Sequence, residues 1–129
     1  MPSIDTNLIL RLLLDDVEEQ RAATLRVLQK HDTVAIADLA ITEAVFVLEK
    51  VKKIPRAYIE TLLESLLANQ HLVFNRSLIE QVIPYYLKHP AISFNDCCLA
   101  VYAKSNGQTP LLTFDKKLAR QLPHVDEVK

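Results

Sequence analysis

After Ile4 and Asp5 the chain enters an apolar stretch over residues 8–14, broken only by Arg11. That pattern predicts a very short strand, a turn and a helix. Residues 15–30 carry apolar side chains at Val17, Ala22, Leu25 and Leu28, a helical spacing. Residues 33–37, with Val34 and Ile36 among small neighbours, read as a buried strand. A helix follows, with Asp38 as its cap, and runs to about Lys53, where Ile54-Pro55 interrupts it. Pro55 suits the first turn of the next helix, which carries Tyr58, Leu62, Leu63, Leu66 and Leu67. A strand over 71–74, a helix over 77–88 kinked at Pro84, and a loop over 90–94 come next. The helix over 95–106 ends at Gly107, where a left-handed residue is favoured. The chain finishes with a strand over 110–113, a helix over 115–122 and an edge strand over 125–128.

Strands alternating with helices predict a small, mainly parallel sheet with helices on both faces. Length favours one domain spanning 1–129. Composition sharpens this. A single glycine and no tryptophan disfavour a turn-rich barrel or sandwich, and half the residues are hydrophobic, enough for a core. No apolar run approaches membrane-spanning length, and no basic start leads into an apolar leader, so neither a membrane anchor nor a secretory signal is expected. The two cysteines, Cys97 and Cys98, are adjacent. They read as thiols on a helix in a reducing cytoplasm, since neighbouring cysteines bridge only with strain. The histidines are scattered and none accompanies a nucleophile.

In a parallel sheet, ligands bind beyond the carboxyl ends of the strands. Asp5 and Asp115 follow strands directly, and Asp96 opens a helix after a loop. Each can simply cap a helix. Glu43 is less easily explained. On a helical wheel it falls within an apolar arc with Leu39, Ala40, Ala44, Phe46 and Val47, while Thr42, Glu49 and Lys53 form the polar stripe. An inward carboxylate needs a partner. Four carboxylates drawn to one sheet edge repel one another unless hard divalent cations sit between them. Ligation by oxygen alone suits Mg²⁺ or Mn²⁺, not zinc. Such ions activate water and offset charge on a phosphodiester undergoing attack.

Ile4-Asp5-Thr6-Asn7, Thr42-Glu43-Ala44, Ser93-Phe94-Asn95-Asp96 with Ala100, and 112–118 (Leu-Thr-Phe-Asp-Lys-Lys-Leu) resemble the ordered motifs of PIN domains, and more narrowly of the VapC-type toxins. The resemblance covers nearly the whole chain. It implies a three-layer, helix-rich α/β/α sandwich with a small, mainly parallel central sheet. It also implies Mg²⁺- or Mn²⁺-dependent endoribonuclease activity, frequent homodimerisation and inhibition by a cognate antitoxin protein. By the same resemblance Asp5, Glu43, Asp96 and Asp115 are the catalytic, metal-binding quartet. Thr6 or Asn7 and Thr113 are polar groups that orient carboxylates or water.

The net charge of −1 offers no general attraction for RNA. With the quartet set aside, however, bases outnumber acids by three. Lys116, Lys117 and Arg120, just past Asp115, are the first candidates for contacts to an RNA substrate, and Lys50, Lys52, Lys53 and Arg56 the second. Tyr85 and Tyr86 read as packing residues. The stripes at Leu8, Leu12 and 58–67 read mostly as core, with part left for a dimer or antitoxin groove. Two other functions fit the same residues: housekeeping RNA processing without an antitoxin, and a non-enzymatic Mg²⁺-binding regulatory module. A phosphoacceptor receiver would want an acid beside Asp5, and none is there.

Overall fold

Seven helices and four short strands follow the order read from the apolar pattern in the computed structural model, which describes residues 1–129. The fold is a helix-rich α/β arrangement with small parallel sheets. No helix is long and apolar enough to cross a membrane. The chain forms two compact units, Met1–Asn75 and Arg76–Lys129.

The first unit contains α1 (Thr6–Leu13), α2 (Glu18–Lys30), β1 (Val34–Ala35), α3 (Asp38–Phe46), a π-helical turn (Val47–Val51), α4 (Arg56–Ala68) and β2 (Leu72–Val73). β1 and β2 pair in parallel, with Val34 opposite Leu72 and Ala35 opposite Val73. The expected first strand is a single parallel bridge, Ser3 to Ala35, in which the Ile4 amide donates to the Ala35 carbonyl at 3.0 Å. Ile9 of α1, Ile41 and Val45 of α3, Leu48, and Ile59 and Leu63 of α4 are buried core residues. The 58–67 stripe is therefore core, as expected, apart from exposed Tyr58.

Asp38 is not the cap of α3. The ladder continues through the Ile36 amide, which donates to the Val73 carbonyl, so one extended residue, Ala37, links strand to helix and takes the cap position. Asp38 lies in the first helical turn, where its charge still suits the helix dipole. At the other end of this segment, the Lys52 amide donates to the Val47 carbonyl and the Ile54 amide to the Leu48 carbonyl, both at 2.9 Å. Lys53 closes the turn in the left-handed region, at φ 57°. The same corner carries an ion cluster. Arg11 of α1 pairs with Asp16 at 3.0 Å, and Lys52 approaches the second oxygen of Asp16 at 3.6 Å.

The second unit contains α5 (Arg76–Lys88), α6 (Phe94–Ser105), β3 (Leu111–Thr113), α7 (Lys116–Gln121) and β4 (Val125–Glu127). β3 and β4 pair in parallel from Leu111–Val125 to Thr113–Glu127. α5 packs on α6, with Tyr86 fully buried and edge-on to Phe94 at 5.2 Å between ring centroids. Tyr85 stacks on His89. Both tyrosines thus serve packing, as expected. Cys97 and Cys98 are buried, unbridged thiols in α6. Gly107 ends that helix region at φ +66° with nothing near the place a Cβ would occupy, so backbone conformation rather than space favours glycine there.

A left-handed lysine costs conformational energy that glycine avoids, partly offset by glycine's larger entropy loss on folding. Lys53→Gly should stabilise the protein by about 0.5 kcal/mol. Urea unfolding at matched m-values checks the sign.

Candidate active site

Asp5 follows the bridge residues directly and caps α1. Its Oδ1 accepts from the Leu8 amide at 3.1 Å. Asp115 repeats the arrangement after β3, with Oδ1 accepting from the Leu118 amide at 3.1 Å. Its own amide donates to Thr113 Oγ1 at 3.0 Å, so Thr113 fixes the backbone of Asp115. In both aspartates one oxygen is committed to the helix and Oδ2 has no protein partner. Capping and metal ligation therefore do not compete, because a carboxylate has lone pairs for both.

Asp96 is the third residue of α6. The cap there is Ser93, whose hydroxyl accepts from the Asp96 amide at 3.1 Å. The Asp96 carboxylate is spared that task and is half-buried. Thr6 is half-buried and Asn7 exposed, and neither side chain makes a hydrogen bond.

Glu43 does not face inward. It is exposed, as are Leu39 (82%) and Phe46 (60%) along the same side of α3. The core side is Ile41, Ala44, Val45 and Leu48, nearly opposite on the wheel. α3 is apolar almost all round, so periodicity could not tell which face the core would cover. The partly buried acid on this segment is Glu49, 15% exposed, which accepts from Arg56 Nε at 2.9 Å and Lys50 Nζ at 3.0 Å. Glu49 belongs to the π turn, whose wider winding departs from the wheel that placed it on a polar stripe.

None of Asp5, Glu43, Asp96 or Asp115 is in an ion pair, whereas Asp16 and Glu49 are. Each of the four offers hard oxygen donors with no protein cation competing for them, the ligand type that suits a hard divalent ion. No group of three or more His, Cys, Asp or Glu side chains stands close enough together to hold a metal ion.

A model of the PIN domain family matches residues 3–121, a span that runs across both compact units. The chain belongs to the PIN domain family. No curated protein matches it. PIN domains are generally nucleases that use divalent metal ions, so membership brings a hydrolase activity on nucleic acid. The acids Asp5, Glu43, Asp96 and Asp115 all lie within the matched span.

In this PIN domain the basic residues after Asp115 are available. Lys116, Lys117 and Arg120 are exposed on α7 and make no ion pair. The second basic cluster is mostly engaged, with Lys50 and Arg56 on Glu49 and Lys52 near Asp16. One feature of the surface escaped the sequence reading: Phe114, beside Asp115, is 81% exposed. In the chain it looks like one more apolar strand residue, but it lies just past the end of β3 and faces solvent.

The caps separate scaffold from chemistry. Asparagine caps a helix about as well as aspartate, and alanine does not. Asp115→Ala should cost about 1 kcal/mol of stability, while Asp115→Asn should stay within about 0.5 kcal/mol of wild type. Thermal unfolding in EDTA checks the pair.

Proposed function

We propose that this PIN domain is a Mg²⁺- or Mn²⁺-dependent endoribonuclease and the toxin of a VapBC-type toxin–antitoxin pair. The observation that carries the reading is the PIN-family match over residues 3–121, a span that contains Asp5, Glu43, Asp96 and Asp115, none of them in an ion pair. Asp5, Asp96 and Asp115 would hold the metal, and Glu43 would ligate it or orient the attacking water. When bound, the metal would lower the pKa of water and offset negative charge on the phosphodiester.

The remaining parts follow from the surface. Lys116, Lys117 and Arg120 bind backbone phosphates, which adds affinity without sequence choice. The exposed apolar side chains Leu39 and Phe46 on α3, with Val51 and Tyr58 beyond it, support a protein partner: the antitoxin or a second copy of the chain. The one-domain reading of 1–129 belongs to this proposal too, as does action in the cytoplasm.

Purified protein should cut RNA in Mg²⁺ or Mn²⁺ and be inert in EDTA. Asp5→Asn and Asp96→Asn should each abolish cleavage with helical circular dichroism unchanged. Millimolar metal should raise the melting temperature of wild type and not of Asp96→Asn, by preferential binding to the native state. Full cleavage by both variants would contradict the site. Growth arrest on expression, relieved by an antitoxin encoded beside the gene, is the expected sign of the toxin role. Harmless expression of an active enzyme would point to housekeeping processing instead.

A further inference from the structure

Between α1 and α2 the first unit contains an open groove of ≈ 330 Å³. Asp5 stands at one end of it. Leu8, Ala23 and Val27 supply apolar wall, and Thr24 adds little polarity because its hydroxyl already donates to the Gln20 carbonyl at 2.8 Å. The side-chain amides of Asn7 and Gln20 line the same groove, exposed and without any hydrogen bond in the protein. Arg11 lies in the wall, 11% exposed and braced by Asp16 at 3.0 Å.

We infer that this groove is a nucleobase subsite, taking the base next to the phosphodiester that Asp5 serves. The inference rests on the nuclease reading for its position and on the groove itself for its chemistry. The volume falls at the small end of the roughly 300–1,000 Å³ typical of small-molecule sites, a size for a nucleoside rather than a folded segment of protein. An apolar wall suits the flat face of a base. Each free carboxamide presents a donor and an acceptor side by side, the pattern that pairs with a base edge. Phosphate-binding lysines cannot choose a sequence, but this groove can, so the base preference of the enzyme is set in the first unit by α1 and α2.

The test has two arms. In the first, amide chemical shifts are followed in EDTA as each of the four ribonucleosides is added. At least one should shift Leu8, Gln20, Ala23 and Val27, and Ala23→Phe, which fills the groove from an exposed position, should remove the response. In the second arm, a randomised RNA pool is cut in Mn²⁺ and the ends are sequenced. Wild type should favour one base beside the cut, and Gln20→Ala and Ala23→Phe should each flatten that preference by about tenfold. Groove amides silent to all four nucleosides would overturn the inference, as would variants that keep the wild-type preference; the nuclease reading would survive either result. Nucleoside shifts in a protein that cuts no RNA would support the groove as a nucleoside site while removing the nuclease reading.

Discussion

Asp5 and Asp115 are each tied to a helix by one carboxylate oxygen, and the chemistry assigned to this protein depends on the other oxygen being left over. A helix start supplies unpaired amides and a favourable dipole, so an aspartate there holds its charge at little cost. The short parallel ladders decide where those starts fall. In the first unit the Ile4–Ala35 hydrogen bond ends the strand one residue before Asp5, and in the second Thr113 ends β3 two residues before Asp115. Strand end, then capping aspartate, then helix is one device used twice, and in each unit it leaves an exposed aspartate just past a strand end.

Two acids of the first unit are held in ion pairs: Asp16 with Arg11 and Lys52, Glu49 with Arg56 and Lys50. Asp5, Glu43, Asp96 and Asp115, like most acids of the chain, are in none. These partly buried ion pairs sort the basic residues. Lysines and arginines around the π turn are occupied, and those on α7 remain open to phosphate. The π turn and left-handed Lys53 bring Arg56 round to Glu49, which links the end of α3 to the start of α4.

Strong local signals carried the reading of the sequence. Alternating apolar segments, Gly107 and the prolines marked element order to within a few residues, and both strand-end aspartates were visible because a strand followed by Asp and then a helix is a local pattern. The sequence does not orient Glu43, because α3 is apolar on nearly every side and leaves no amphipathic contrast. Nor does the sequence show that β1's ladder extends through Ile36, which moves the cap of α3 from Asp38 to Ala37. Phe114 and the α1–α2 groove depend on which faces meet solvent, a property of packing between elements distant in sequence.

The central claim is that four carboxylates from separate elements share one hard cation. Substoichiometric Mn²⁺ broadens amide resonances near the ion, so residue-by-residue line widths test it most directly. The account predicts that the amides of Asp5, Glu43, Asp96 and Asp115 broaden together, and that Asp5→Asn removes the effect at all four. Broadening confined to one of these residues, or scattered over unrelated acids such as Glu18 and Glu64, would contradict it.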